Sequence, residues 1–135
     1  MTRGDKVTWL LRYRESVKDV IELEDRLEVC RTRATHITAG LSDTPSGGGK
    51  GDGLQRSVEE AAEIEEEIRR AKARAERIYQ EIREQVSRVE SPTLRSLLTY
   101  RYLERKTWEK VALTMGYCTM QIWRLHRQAL DEIKM

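Results

Sequence analysis

Two long runs of apolar residues, spaced three and four positions apart, constrain the fold of this chain more than any other feature. The first run lies between Lys6 and Thr38, and the second lies between Gln55 and Val89. This spacing places the apolar side chains on one face of a helix, and each helix would be about 50 Å long. A single helix cannot bury its own apolar face. The runs therefore predict that the helices pack on each other or on another chain.

A glycine-rich segment separates the two runs. Residues 40–53, GLSDTPSGGGKGDG, contain six glycines and Pro45, a composition that favours neither a helix nor a strand. We expect a flexible loop over residues 40–55 and an antiparallel helical hairpin around it. Apolar edges left over from the hairpin would favour a homo-oligomer, most simply a dimer. The alternative to this hairpin is that the second run forms a single helix surrounded by solvent.

The amino-acid composition indicates which class of protein this is. Of the 135 residues, 36% are charged, 6% are aromatic and none is Phe, which is typical of long helices. Cys30 and Cys118 form no CxxC pair, so we expect no disulfide, no metal site and no cofactor. The sequence has no membrane-spanning run and no signal peptide, so we expect a cytoplasmic protein with no membrane partner.

The sequence contains no arrangement of side chains that is typical of an enzyme. His36 and His126 are the only histidines, and no nucleophile or acid–base pair accompanies them. The acidic run Glu65–Glu67 is better explained as a solvated helix face, because adjacent residues on a helix point in different directions. We therefore expect a protein without catalytic activity.

The C-terminal residues 91–135 carry the signals of three short helices. Ser91 and Pro92 mark the start of the first helix. Thr107 is a suitable N-cap for a second helix, Trp108–Met115, and Gly116 can end that helix with a positive φ. A third helix would begin two or three residues later. Residues 91–135 hold eight Lys and Arg against four Asp and Glu, whereas residues 1–90 hold seventeen against nineteen. The basic excess thus lies at the C-terminal end.

The last helix has one apolar face and one polar, basic face. Ile122, Leu125 and Ala129 share the apolar face, which would pack against the preceding helix. The opposite face is typical of a recognition helix, whose first turns enter the major groove of DNA. The expected groove-facing residues are Thr119, Met120, Gln121, Trp123, Arg124 and Arg127. The expected phosphate contacts are Arg101, Lys106 and Lys110.

The run from Leu97 to Leu130, LLTYRYLERKTWEKVALTMGYCTMQIWRLHRQAL, resembles region 4 of bacterial RNA polymerase sigma factors, with its RY(I/L)xxxTWxxVAxxxGYSxxxIxRLHxxAL pattern. The resemblance implies a helix-turn-helix domain that binds double-stranded DNA. Cys118 departs from the pattern, which has Ser or Thr as the helix cap, and a thiol is a weak cap. The start of the last helix is therefore expected to be less firmly fixed. His126 matches the histidine of the pattern and would help packing or contact a phosphate.

The chain as a whole resembles the phage and prophage late-gene regulators of the ArpU and RinA sort. These proteins join a helical N-terminal part, here residues 1–90, to an end similar to sigma region 4. The sequence ATHITAGLSDTPSGGGKGD, residues 34–52, extends this resemblance over nearly the whole chain. It implies a transcriptional regulator of phage late genes that acts in the bacterial host cell, with host RNA polymerase as a further partner.

Two other functions fit the same sequence. A phage small terminase subunit also combines a DNA-binding helix-turn-helix with oligomerising helices, but it recognises packaging DNA and forms a ring. A polymerase-docking interaction protein would use its C-terminal domain to bind RNA polymerase without reading DNA. The sequence favours the regulator and leaves both alternatives open.

Overall fold

The computed structural model describes residues 1–43 and 48–135, with side chains for residues 1–36 and 53–135. Every element in these ranges is helical, which confirms the all-α prediction for the described part of the chain. No helix there is long and apolar enough to cross a membrane. The elements are α1 (Arg3–Leu10), α2 (Arg12–Asp43), α3 (Gly48–Ser87), α4 (Pro92–Leu98), a π-helical turn (Thr99–Leu103), α5 (Trp108–Met115) and α6 (Thr119–Glu132).

The two N-terminal helices extend further than predicted. α2 continues to Asp43 and α3 begins at Gly48, so the prediction of a flexible loop is wrong for residues 40–43 and 48–55. Glycine costs about 1 kcal/mol relative to alanine inside a helix, but it keeps its backbone N–H and adopts helical dihedral angles without strain. The composition therefore disfavours a helix here without preventing one. Residues 44–47 of the predicted loop lie outside the described residues.

The first predicted helix is also divided. A turn at Leu11 separates α1 from α2, where the spacing of apolar residues predicted one continuous helix. The apolar pattern does not reveal this break, because Leu10 and Tyr13 on either side of it face the same core.

The chain divides into two compact units by the contacts within it. Residues Met1–Val17 and Arg74–Met135 form one unit, here called the C-terminal unit, and residues Lys18–Ala73 form the arm unit. This division differs from the predicted boundary at residue 90. The reason is that the N-terminal segment and the end of α3 contribute side chains, such as Leu10 and Ile82, to the core of the C-terminal unit.

In the arm unit, α2 and α3 lie antiparallel, as the two apolar runs predict. Leu27 and Cys30 of α2 pack against Ile64 and Ile68 of α3. Ion pairs flank this contact. As the residue number of the α2 member increases from pair to pair, the residue number of the α3 member decreases. The pairs are Glu24–Lys72, Arg26–Glu67, Arg31–Glu65 and Arg33–Glu60. Because all eight side chains are exposed, the pairs fix the register of the helices more than they stabilise them.

The core of the C-terminal unit is formed by several elements that each bury one face. Leu97 and Leu98 of α4, Val111 of α5 and Ile122 of α6 are almost completely inaccessible to solvent. Leu10, at the end of α1, belongs to the same cluster and is fully buried. The three C-terminal helices are thus covered in part by the beginning of the chain.

Polar contacts attach α1 to the end of α6. The Arg3 guanidinium donates two hydrogen bonds of 2.8 Å to the two carboxylate oxygens of Asp131. The Lys6 ammonium donates to the carbonyl of Leu130 at 2.8 Å. Positive charge near the C-terminus of a helix is favourable because the last carbonyls carry partial negative charge. The N-terminal residues therefore help to hold α6 in place.

The predicted start of α4 and both predicted ends of α5 are confirmed. The Ser91 hydroxyl accepts a hydrogen bond from the Leu94 N–H at 3.4 Å, and Pro92 occupies the first position of α4. The Thr107 hydroxyl accepts from the Lys110 N–H at 3.2 Å and begins α5. Gly116 ends α5 with a φ of 73°, in the left-handed region that favours glycine.

The conformation of Gly116 predicts an unequal effect of alanine at two glycines. A Cβ at Gly116 would meet nothing within 4 Å, so Gly116→Ala should destabilise the protein only through backbone strain, by about 1 kcal/mol. Gly4 lies in α1 with ordinary space around it, so Gly4→Ala should raise stability slightly, by about 0.5 kcal/mol or less. Urea unfolding of both variants measures the difference. Equal effects of the two changes would contradict the proposed strain at Gly116.

Candidate nucleic-acid interface

One face of α6 is buried and the opposite face is open. Ile122, His126, Ala129 and Leu130 are buried against the rest of the C-terminal unit. All six residues predicted to face a DNA groove are exposed. With 3.6 residues per turn, four of them share one face and the other two lie at its edges. The four are Met120, Trp123, Arg124 and Arg127, and the edge residues are Thr119 and Gln121.

The exposed face of α6 carries positive charge along its first three turns. Arg124 and Arg127 make no ion pair with any residue that the structure describes, and α6 contains no carboxylate before Asp131. The hydrogen bonds from Arg3 lower the pKa of the Asp131 carboxyl and keep it charged and engaged away from the first turns. This arrangement favours a negatively charged partner over the N-terminal part of the face.

The start of α6 is fixed by Gln121. Cys118 has an extended backbone at the N-cap position, and its N–H donates a hydrogen bond of 3.1 Å to the side-chain oxygen of Gln121. This contact is the half of a capping box that does not depend on the side chain at the N-cap. Gln121 therefore holds the helix start in addition to lying at the edge of the exposed face, which compensates for the weak thiol cap.

Trp123 rests on a layer of packed aromatic side chains. Trp123 is 46% exposed, and the centroid of its ring lies 5.0 Å from that of Trp108 and 6.3 Å from that of His126. The Trp108 ring contacts His126 edge to face at 4.6 Å. Such contacts add specific geometry to the burial of the rings. The exposed edge of Trp123 is thus held in a defined position.

His126 belongs to the core and not to the exposed surface. Its Nε2 atom shares a hydrogen bond of 2.6 Å with the hydroxyl of Tyr102, and the histidine is 8% exposed. Burial, with a smaller effect from the charge of Arg101, lowers the pKa of His126 to about 4. Burial also raises the pKa of Tyr102 to about 12, although the charge of Arg101 opposes this shift. Of the two predicted roles for His126, the structure places it in packing.

The three residues predicted as phosphate contacts lie in different surroundings. Arg101 is half-buried, donates to the Lys106 carbonyl at 3.0 Å and lies with its guanidinium carbon 4.7 Å from the centroid of the Trp108 ring. The Lys106 ammonium lies 4.6 Å from the centroid of the Tyr100 ring. Lys110 is exposed on α5, and its side chain pairs with no described residue. Of the three side chains, only that of Lys110 is both exposed and without a contact to another described side chain.

Two features of this surface were not anticipated from the sequence. Arg105, in the loop before α5, has a φ of 59°, a strained value for a residue with a side chain. Arg14 lies close enough to Arg101 for its charge to lower the pKa of that guanidinium, after the larger effect of burial. No local sequence signal identifies this proximity, because the two arginines are far apart in the chain and are brought together by the fold.

The described residues contain no group of three or more His, Cys, Asp or Glu side chains that could hold a metal ion. Comparison of the chain with models of known protein families, with curated proteins and with solved structures found no match.

The buried His126 predicts a specific loss of stability in acid. The unfolded histidine has a pKa of about 6.5 and the folded one a pKa of about 4, so the unfolded state takes up a proton first as the pH falls. Stability from this group is complete above pH 6.5 and is lost between pH 6.5 and 4. Between pH 7 and 4.5 the wild type should lose about 2 kcal/mol more than His126→Gln, which retains a hydrogen-bonding side chain without titrating.

Urea unfolding at pH 7, 6, 5 and 4.5 measures both proteins under the same conditions. Carboxyl groups titrate alike in the two proteins, so their contribution cancels in the comparison. Parallel stability profiles for the wild type and His126→Gln would show that the histidine is not buried as a neutral group.

Proposed function

We propose that this protein is a sequence-specific transcriptional regulator that reads double-stranded DNA with α6. The observation that carries the proposal is the division of α6 into a buried apolar face and an exposed face without carboxylates over its first three turns. In this proposal α5, the turn at Gly116 and α6 form a helix-turn-helix, and residues 91–135 form the DNA-binding domain.

The size and chemistry of α6 suit the major groove. A helix of 14 residues is about 21 Å long, and the groove of B-form DNA, about 12 Å wide, admits one helix. The Arg124 guanidinium can donate two hydrogen bonds to the O6 and N7 atoms of a guanine, and the apolar Met120 side chain can contact a thymine methyl group. Arg127 lies almost one turn further on, where a phosphate contact is the expected role.

α5 would cross the DNA backbone while α6 lies in the groove. In such domains the helix before the recognition helix contacts phosphates, which position the protein without selecting a sequence. Lys110 is exposed on α5 and has no acidic partner among the described residues. Its ammonium group is therefore assigned to a phosphate.

The regulatory role and the phage late-gene target are proposed from the resemblance of the chain to sigma region 4 and to the ArpU and RinA proteins. A cytoplasmic location in the bacterial host and a contact with host RNA polymerase belong to the same proposal. We also propose a homodimer through the arm unit. The apolar side chains Ile21, Val29 and Val58 are exposed there and would be covered by a second copy.

Selection of duplexes from a random pool by the purified full-length protein tests the function. The proposal expects enrichment of one defined motif, and a light-scattering mass of the same sample should correspond to a dimer. A ring-sized oligomer that selects only packaging-site DNA would favour a small terminase subunit. If no duplex is enriched but RNA polymerase is bound, α6 does not read DNA.

The contrast between Arg124 and Lys110 tests how α6 and α5 divide the binding. On the selected duplex, Arg124→Ala should lose about 1–3 kcal/mol of binding free energy and lose preference at one base pair. Lys110→Gln should weaken binding to selected and random duplexes alike and reduce the salt dependence of the affinity. Fluorescence anisotropy at several salt concentrations measures both effects. Equal losses for Arg124→Ala on selected and random DNA would overturn its assignment as a base-reading residue.

A further inference from the structure

Arg105 combines a strained backbone with an exposed positive charge. It lies in the loop between the π-helical turn and α5, and its φ of 59° places it in the left-handed region. In the described part of the chain, Arg105 is the only residue other than glycine with a positive φ. For a residue with a side chain this conformation costs free energy, because the Cβ atom comes too close to the following carbonyl oxygen.

The hydrogen bonds of the loop impose this conformation. The backbone N–H groups on either side of Arg105 donate back into the π-helical turn, to the carbonyls of Thr99 and Tyr100, at 2.8 and 3.0 Å. The chain has to reverse between these two bonds, and glycine is the usual residue where a helix ends in this way. The same chain uses glycine at the end of α5, where Gly116 has a φ of 73°. An arginine at position 105 therefore has no conformational advantage.

No contact of the Arg105 side chain within the protein offsets the strain. The side chain is exposed, and it makes no ion pair, hydrogen bond or ring contact with a described residue. The acidic residue beside it, Glu104, is also exposed and does not pair with it. Strained residues without an internal benefit occur where the side chain has a function. The guanidinium of Arg105 is thus free to bind an anion from outside the protein.

Three successive contacts connect the loop to the exposed face of α6. The carbonyl of Lys106 accepts a hydrogen bond of 3.0 Å from the Arg101 guanidinium. The guanidinium carbon of Arg101 lies 4.7 Å from the centroid of the Trp108 ring, and that centroid lies 5.0 Å from the centroid of the Trp123 ring. Because Trp123 belongs to the exposed face, the loop is fixed to the same packed layer that supports this face.

The neighbouring cation, Lys106, is engaged within the protein. Its ammonium lies 4.6 Å from the centroid of the Tyr100 ring, and its backbone N–H and carbonyl both form hydrogen bonds with the π-helical turn. Lys106 thus anchors the loop and leaves Arg105 free. The loop leads directly into α5, the helix that crosses the DNA backbone in a helix-turn-helix. A backbone phosphate suits Arg105, because the planar guanidinium donates paired hydrogen bonds to phosphate oxygens.

We propose that Arg105 binds one phosphate of the DNA backbone beside the groove that α6 enters, and that it makes the phosphate contact expected of Lys106. This inference rests on the proposed function. It adds a residue that the sequence did not identify, and it gives a function to the charged side chain at a strained position.

Three substitutions separate the charge of Arg105 from its backbone strain. Arg105→Ala removes the charge and keeps the strain, Arg105→Gly removes both, and Arg105→Lys keeps both. In fluorescence anisotropy, the alanine and glycine variants should each bind the selected duplex about threefold to tenfold more weakly near 0.1 M salt, and the slope of log K against log salt should fall by about 0.9, the value for one phosphate contact. Arg105→Lys should keep most of the salt slope. Preference among base pairs should stay the same in all three variants.

The stability of the free protein should follow a different order. Arg105→Gly should raise the folding equilibrium constant about threefold, because glycine adopts the left-handed region without strain. Arg105→Ala and Arg105→Lys should stay close to the wild type. Urea unfolding without DNA measures the three variants. A glycine variant that is no more stable than the alanine variant would contradict the strain at Arg105 and would overturn the inference.

Arg88→Gln is the matched control for net charge. Arg88 is exposed on the same compact unit, and it lines a crevice with Glu132 and Lys134 near the other end of α6. This change removes the same charge from a place where no DNA contact is proposed, so affinity and salt slope should equal those of the wild type. Equal losses for Arg105→Ala and Arg88→Gln would show an effect of net charge alone and would overturn the inference.

The variants separate this inference from the proposed function. If the wild-type protein binds no duplex, the proposed function fails, and the inference fails with it. If the wild type binds and Arg124→Ala weakens binding while Arg105→Ala matches the wild type in affinity and salt slope, only the phosphate contact of Arg105 is overturned.

Discussion

The inner face of α6 has to be covered before its outer face can be presented to a partner, and most contacts of the C-terminal unit serve that purpose. A 14-residue helix is marginal in isolation, so its order depends on packing. Burial of a side chain such as Ile122 contributes about 1.5–3 kcal/mol, and α4 and α5 supply the apolar surface that covers it. The hydrogen bond between Tyr102 and His126 satisfies the two polar groups that this packing buries. The pairing of Arg3 with Asp131 attaches the far end of the helix. Because so many elements fix one face, the opposite face is a defined surface.

The beginning of the chain is a structural part of this C-terminal unit. Residues Lys18–Ala73 leave the unit and the chain then returns to it, so the arm unit is an insertion between two segments that share one core. This connectivity explains why Leu10 and Ile82 are completely buried although they lie outside the last 45 residues. Proteins that bind DNA combine base contacts, which specify, with phosphate contacts, which position. In the proposed function, α6 supplies the first kind and Lys110 of α5 supplies the second.

Sequence signals predicted the local features that depend on one or a few neighbouring residues. Thr107 and Gly116 specify the ends of α5 through a side-chain cap and a positive φ, and both predictions are confirmed. The alternation of buried and exposed positions along α6 also follows from its sequence.

Other features depend on the tertiary structure and have no local signal. The π-helical turn at Thr99–Leu103 and the proximity of Arg14 to Arg101 are of this kind. The sequence predicted that Arg101 is a free phosphate contact, but its guanidinium packs over the ring of Trp108. The helical residues 48–55 were missed because propensity is a weak guide where packing supplies the remaining stability.

Contact between the exposed face of α6 and duplex DNA can be observed by an NMR titration of the full-length protein that follows the three tryptophan indole N–H signals. Trp123 lies on this face, Trp108 lies behind it, and Trp9 packs at the core through the N-terminal segment. Single Trp→Phe variants assign the three signals. If α6 lies in the groove, the Trp123 signal shifts saturably on addition of the selected duplex, the Trp108 signal shifts less and the Trp9 signal shifts least. A Trp123 signal that stays unchanged while the duplex is demonstrably bound would show that DNA binds elsewhere on the protein.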